Sequence, residues 1–321
     1  ITYIFLYLKQ FMKVRSMRSI KNKKILILGG TGFLGNKLIS SLLNDNLQIY
    51  LLVRNRRARN DLQKYDANPN IKIFDWKGTD SKIIEKILKE VNSVINLCGI
   101  LYENKNGDFD RVHSDLPSIL GELCSKNNIE TLVHVSALGV SEFSDSKYSR
   151  SKAIGDKRLL ENFPKAKILR PSLLFGKGDN FFGQFSKMSS ISPALPLISK
   201  NTRFQPIFVD DVVLAIIKLI SKKDIKGNIF EIGGKFAYTF EELLKILLDI
   251  KNIKRLLIPL SPNLMIFPAF FLQLLPKPPF TVDQMKLLRK DNILNGNHPG
   301  LEALNIKATS MIKELTKIYK N

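Results

Sequence analysis

Cysteine, histidine and tryptophan are scarce in this 321-residue chain, at two, three and one. Cys98 and Cys124 form no pattern, which excludes a disulfide framework and fits a reducing compartment. His113, His134 and His298 stand alone, so no metal site is expected. Acidic residues are short as well: 29 against 50 Lys and Arg, a formal charge of +21, with a pI near 9.8. The basic residues are scattered along the chain, with neither zinc-finger spacing nor an RNA-binding aromatic signature. A nucleic-acid partner therefore ranks last, and an anionic membrane surface or an acidic subunit fits the charge at least as well. There is no internal repeat and no low-complexity tract. A hydrophobic content of 44% is enough for one large domain, or two sharing a core.

Residues 1–24 hold seven Lys or Arg and no acid, and Ile1 to Leu8 is too short to span a bilayer. The chain begins with Ile, while Met12 and Met17 lie just ahead of the first apolar run. We expect this segment to be upstream sequence from a wrong start or a fragment. A transit-like peptide or an interfacial anchor are the alternatives.

The apolar run Ile25 to Leu28 reads as a buried parallel strand, followed by Gly29, Gly32 and Gly35 at intervals of three. Phe33, Leu34, Leu38 and Ile39 then open a helical pattern. Glycine is needed where the chain turns sharply, where backbone approaches a pyrophosphate, and where helix packs on strand. Phosphates would sit on the free N–H groups of the turn and first helical residues, Thr31 to Gly35. Further strands are expected at Gln48 to Val53, Ile71 to Phe74, Ser93 to Leu97, Thr131 to Ser136 and Lys167 to Leu169, with helices near 80–90, 114–127 and 148–162. This alternation predicts an α/β fold, a Rossmann-type doubly wound parallel sheet with a smaller C-terminal lobe.

The expected divisions are a basic extension at 1–24 and a dinucleotide-binding domain at 25–175, whose sheet 205–234 completes. A substrate or docking lobe is expected from 176–204 and 235–321. Residues 176–204, rich in Gly, Ser, Phe and Pro, read as loops over a cleft. Phe204 to Val209 and Asn228 to Ile232 read as strands flanking a helix from Asp211 to Ile220. Residues 256–275 carry no charge over twenty positions, but Pro259, Pro262 and Pro268 argue against a spanning helix. A buried or interface-lying helical hairpin is expected, with a peripheral membrane contact as the alternative.

In this fold the second strand usually ends in a carboxylate for the ribose 2′-hydroxyl of NAD, whereas here Arg54 stands in Val53-Arg54-Asn55-Arg56-Arg57. An arginine pairs with a 2′-phosphate, which predicts NADP(H) over NAD(H). Asp75 and Trp76 end the third strand, where adenine would rest. Asn96-Leu-Cys98-Gly99 ends the fourth, beside the expected nicotinamide position. Tyr148 and Lys152 are four apart on one helix face, so the ammonium would stabilise a phenolate and make Tyr148 a general acid/base. Ser136, at the end of the preceding strand, would hold a substrate carbonyl or hydroxyl.

Together, the glycine turn, Ser136, Tyr148 with Lys152, Arg170-Pro-Ser-Leu-Leu-Phe-Gly176 and Phe208-Val-Asp-Asp-Val212 resemble the extended and atypical short-chain dehydrogenase/reductases. More narrowly, the chain is similar to the dehydrogenase-like accessory subunit of respiratory complex I (NADH:ubiquinone oxidoreductase) and its bacterial relatives. The blocks that carry this are Lys152-Ala-Ile-Gly-Asp156, Phe163-Pro164, Gly178-Asp-Asn-Phe-Phe182, Pro193-Ala-Leu-Pro-Leu197 and Arg203-Phe-Gln-Pro206. Thr281-Val-Asp-Gln284, Asp291-Asn292 and Pro299-Gly-Leu-Glu302 continue it in the tail, so nearly everything after residue 24 is covered.

The resemblance implies a tightly held NADPH, with Gly29, Gly32, Gly35, Arg54, Tyr148 and Lys152 as contacts; Pro171 is expected to bind the cofactor as well. It implies complex I subunits as partners and a role in assembly or stability. The place would be the matrix side of the inner membrane in a eukaryote, or the cytoplasm or inner-membrane periphery in a bacterium. Two functions stay open: such a structural subunit, or a free reductase, epimerase or dehydratase using Ser136, Tyr148 and Lys152. Its substrate would be a carbonyl, sugar-nucleotide or isoprenoid-like compound. The fold also supports members kept as cofactor-stabilised modules.

Overall fold

The computed structural model describes residues 23–43, 47–54, 60–78, 80–222, 224–273, 275, 278 and 280–320. The basic extension up to residue 22, and Arg56 and Arg57, lie outside the described residues. Apolar runs and helical patterns alternate through β1 (Lys24–Leu28), α1 (Phe33–Leu42), β2 (Gln48–Val53), β3 (Ile71–Asp75), α2 (Ser81–Leu88) and β4 (Ser93–Asn96). They continue through α3 (Leu116–Lys126), β5 (Thr131–Val135), α4 (Lys147–Asn162) and β6 (Lys167–Pro171). There follow β7 (Leu174–Phe175), α5 (Phe182–Ile191), β8 (Ala194–Ile198), β9 (Arg203–Phe204), β10 (Ile207–Phe208), α6 (Val209–Ser221) and β11 (Ile229–Ile232). The last elements are β12 (Tyr238–Thr239), α7 (Phe240–Ile250), β13 (Leu256–Leu260), α8 (Pro262–Leu272), α9 (Val282–Leu287) and α10 (Met311–Tyr319).

Seven strands form one parallel sheet in the order β11-β6-β5-β4-β1-β2-β3. Its two faces explain the near-continuous apolar strands. Ile25, Ile27, Ile49 and Leu51 enter the cluster that includes α6, while Leu26, Leu28, Tyr50 and Leu52 enter the one that includes α2 and α3. The strand order reverses at β1, which lies between β2 and β4, and a crevice opens outside the strand ends at such a switch point. Leu28 is level with Leu52 and Asn96, so Gly29, Arg54 and the turn after Asn96 come to the same end of the sheet. A third core, built on Phe175, Phe182, Phe185, Leu195, Phe240, Leu244, Met285 and Leu315, forms the smaller lobe.

Three expectations are corrected here. Residues 256–275 are not a helical hairpin: Leu256 to Leu260 pair in parallel with Ala194 to Ile198, and one helix, α8, follows. Pro259 breaks any helix over the first part. Pro262 opens α8 in its first turn behind Ser261, whose side chain accepts from the Asn263 N–H. Phe204 to Val209 is not one strand: Pro206 interrupts it, leaving the two-residue strands β9 and β10, and Val209 already begins α6. Residues 176–204 contain α5 and β8 rather than loops alone. No helix among the described residues is long and apolar enough to cross a membrane.

Candidate functional site: the β1–α1 crevice and the Tyr148 helix

At the glycine turn, two glycines are required by the protein itself. Gly29 has φ +81°, and a Cβ there would sit 2.8 Å from the Leu97 carbonyl carbon. A Cβ on Gly35 would lie 2.4 Å from the Gly29 oxygen, which sets how closely α1 packs on β1. Gly32 differs: it is extended (φ −71°, ψ 172°), and its Cβ would meet nothing nearer than the Gly29 oxygen at 3.4 Å. Gly32 caps α1 without a side-chain bond, and the first turn holds no acid. The first N–H groups of α1, Phe33, Leu34 and Gly35, therefore have no side-chain cap at the positive end of the helix. The Thr31 carbonyl accepts from Asn36 Nδ2 (2.9 Å), which fixes the turn.

Beside it lies a cleft of about 340 Å³ lined by Arg54, Trp76, Lys77, Gly78, Cys98, Gly99 and Arg111. Arg54 follows β2 directly and is exposed. Trp76 is only 3% exposed and donates from Nε1 to the Asp80 carbonyl (3.2 Å). Asp75 is exposed and not among the lining residues. Asn96 is fully buried. Its Nδ2 meets His134 Nδ1 (3.1 Å) and its Oδ1 accepts from the Cys98 N–H (3.0 Å), so it holds the turn from inside. Burial pushes the Cys98 thiol up to about 11, against the opposing charges of Arg54 and Lys152. Sequence reasoning missed Lys77 and Arg111. Lys77 directly follows Trp76, a legible signal, whereas Arg111 arrives on a π-helical turn, Asp110–Asp115, that no periodicity announces.

Lys152 reaches the Gly99 side of the cleft from α4, with Tyr148 one turn earlier on the same helix; neither is among the cleft's lining residues. The Lys152 Nζ would lie 3.6 Å from a Cβ on Gly99; it donates to the Val135 carbonyl (3.4 Å) and sits 5.8 Å from the Tyr148 ring centre. The Tyr148 ring meets His113 edge-on at 5.2 Å and Phe109 at 5.9 Å. His113 Nε2 accepts from the Ile100 N–H (3.1 Å). In the neutral ring Nδ1 therefore carries the proton and donates to Ser151 Oγ (3.0 Å). Ser151 Oγ in turn donates to the Tyr148 carbonyl (3.0 Å). Burial pulls His113 down to about 2, so it stays neutral.

Burial first, then Asp156 and Asp283, push the Tyr148 phenol above its ordinary range. Lys152 is itself drawn down to about 8 by burial, against the pull of Asp156 and Cys98. Burial is the largest cause at both groups, raising the phenol and lowering the ammonium.

Ser136 ends up against the sheet interior. Its N–H donates to the Leu169 carbonyl (2.8 Å). Its Oγ is buried with no hydrogen-bond partner of good geometry, although it lies against the Asp156 carboxylate. Asp156 accepts from Arg170 Nε (2.8 Å) and stands 3.6 Å from His134 Nε2, and Arg170 reaches Glu231 at 3.5 Å. Burial pulls His134 down to about 3. Pro171 ends β6, accepts from the Leu138 N–H (2.9 Å), and is not among the cleft's lining residues.

The lobe meets the start of α4 through Asp283, and beside it Lys286 Nζ donates to the Asp145 carbonyl (3.2 Å) and Arg289 stands 3.8 Å from the Asp145 carboxylate. Asp283 accepts from Ser146 Oγ (2.7 Å), the Lys147 N–H (2.7 Å) and the Tyr148 N–H (3.1 Å). Motif blocks far apart in sequence meet nearby. Arg203 pairs with Asp291 through Nε (2.9 Å) and Nη2 (2.7 Å), and Asn292 Nδ2 donates to the Leu138 carbonyl (3.0 Å).

A family model described as the NAD dependent epimerase/dehydratase family matches residues 25–233. The chain is 29% identical over 298 residues to the mitochondrial NADH dehydrogenase (ubiquinone) 1 alpha subcomplex subunit 9 of Dictyostelium discoideum, covering 92% of this chain and 83% of that protein. The same-named subunit of Mus musculus is 29% identical over 305 residues, covering 91% of this chain and 78% of that protein. Among solved structures, the dTDP-glucose 4,6-dehydratase of Bacillus anthracis str. Ames in complex with NAD aligns with a TM-score of 0.68 and 16% identity, over 92% of this chain and 95% of that one. That likeness is one of fold.

Proposed function

The chain belongs to the NAD dependent epimerase/dehydratase family, and from that premise we propose that it is an accessory or assembly subunit of a respiratory NADH:ubiquinone oxidoreductase, with NADP(H) as a stabilising ligand. The observation that carries the cofactor part is Gly32. The protein's own packing leaves room for a side chain there, while the uncapped end of α1 lies open beside it, the arrangement that a pyrophosphate demands. Arg54 and Lys77 in the cleft supply cations for a 2′-phosphate and support NADP(H) over NAD(H). A bound nicotinamide would supply two-electron redox chemistry. Of the protein's groups, Lys152 and Tyr148 would hold the ribose, Trp76 would flank the adenine side, and the Cys98–Gly99 backbone would border the ring.

The similarity to subunits of that complex at 29% identity over most of the chain supports the assembly part. The place of action under this reading is the inner-membrane surface, on the matrix side in a mitochondrion. The test is purification of the respiratory complex from detergent-solubilised membranes of the source cells. The chain should co-purify, and the nucleotide released on denaturation should be NADP(H). A chain found wholly outside the complex would defeat the reading.

The geometry at Tyr148 favours one other reading, a free reductase, epimerase or dehydratase. The Lys152 ammonium, at about 8, lies 5.8 Å from the Tyr148 ring centre and against the Gly99 turn. Turnover by the isolated chain that is lost in Tyr148→Phe would establish it.

A further inference from the structure

From the surface of the smaller lobe we infer a membrane-docking site: α8 lies in the headgroup–acyl boundary of an anionic bilayer, held by Leu264, Phe267, Phe270 and Phe271. Those four side chains are 74%, 72%, 55% and 55% exposed, and Ala269 alone of α8 is buried. Phe271 gathers Phe267 at 5.2 Å and Phe270 at 5.6 Å into an aromatic cluster on the outside of the protein. Leu256 and Ile258 of β13, which leads into α8, are 66% and 43% exposed. At 11 residues the helix is about 16 Å long, half of the ~30 Å hydrocarbon thickness. It lies in the interface and does not cross it.

Charge decides the occupant. Residues 251–290 contain Lys251, Lys254, Arg255, Lys277, Lys286, Arg289 and Lys290 against the single carboxylate Asp283. That carboxylate is engaged at the start of α4; of the cations, Arg289 stands 3.8 Å from Asp145, and Lys251, Arg255 and Lys286 donate to main-chain carbonyls. The whole chain has 50 basic to 29 acidic residues, so this bracket is far more one-sided than the rest. An uncharged insert flanked by cations matches anionic headgroups above acyl chains. A second copy would set one cationic bracket against another. A protein groove would need hydrogen-bonding groups at about one per 100–200 Å², and the polar side chains of residues 256–275 are Ser261, Asn263 and Gln273.

This docking site stands apart from the cofactor reading and is tested with the full chain and lipid vesicles. Phe271→Trp provides the reporter, because the single native tryptophan, Trp76, is 3% exposed and gives a fixed background. Vesicles of phosphatidylcholine with phosphatidylglycerol should float the protein and shift the new emission to the blue. Vesicles of phosphatidylcholine alone should do so far less. The triple variant Phe267→Ser, Phe270→Ser, Phe271→Ser should partition at least about ten-fold more weakly, with an unchanged thermal midpoint as proof of folding. Equal flotation of the triple variant, equal binding to neutral and anionic vesicles, or no flotation with a self-associated or protein-bound form instead, would each overturn the assignment.

Discussion

Replacing Gly32 by alanine separates what the fold needs from what a cofactor needs. At this position a Cβ meets only the Gly29 oxygen at 3.4 Å, an ordinary contact, and the backbone is in a region any residue adopts. The cost to folding is that of alanine for glycine at a helix N-cap, no more than about 1 kcal/mol. The cost to the ligand is larger. The new methyl stands between the α1 N–H groups and a pyrophosphate and removes two charge-assisted hydrogen bonds worth about 1.5–3 kcal/mol each. NADPH affinity should fall by roughly 10²–10⁴. Gly35→Ala is the control: its Cβ would lie 2.4 Å from the Gly29 oxygen and 2.7 Å from Gly30 backbone atoms. That clash should destabilise the protein by about 1–3 kcal/mol or more. Titration calorimetry with NADPH and urea unfolding read the two quantities. A Gly32→Ala protein that keeps its affinity within about three-fold, or loses it only in proportion to stability, would refute the reasoning.

Arg54→Asp should weaken NADPH by about 1–3 kcal/mol, the scale of a charge-assisted contact, and leave NADH nearly unchanged; equal affinity of the parent for both would remove the preference. Lys152→Ala should lower cofactor affinity in the same calorimetric assay, whereas Tyr148→Phe should largely keep it; the reverse order would contradict the cradle. His113 and His134 are held at about 2 and about 3 by burial, below the ordinary 6.5. The unfolded chain therefore binds more protons below pH 6.5, and stability is full above that value and falls as pH drops towards the folded values. The urea midpoint should already decline between about pH 7 and about pH 5, above the usual carboxylate range; a flat profile would mean that the imidazoles are not held neutral.

The first half of the sheet was legible because its signals are local. An apolar run ending in glycine, then a helical pattern, needs only adjacent residues, and β2 begins and ends where the sequence puts it. The tail was not, because residues 256–275 are uniformly apolar and carry no period to separate strand from helix. Their exposure follows from the surface they leave uncovered, which no local pattern encodes. Tyr148 and Lys152 were found by spacing, but the sequence does not show that the Lys152 side chain is buried, at 4% exposed. The groups that act on them are Asp156 on the same helix, Cys98 after β4 and Asp283 on α9, the last 135 residues from Tyr148. Ser136 was legible as a strand end, but its orientation towards Asp156 depends on Arg170 and Glu231, which arrive from β6 and β11.

The most direct test of the cofactor-cradle account is to replace the native chain in its own cells by Gly32→Ala or Tyr148→Phe and quantify assembled respiratory complex I on native gels. The account predicts depleted complex with Gly32→Ala and normal complex, with normal NADP(H) content, with Tyr148→Phe. Normal assembly with Gly32→Ala, or failure with Tyr148→Phe alone, would contradict it.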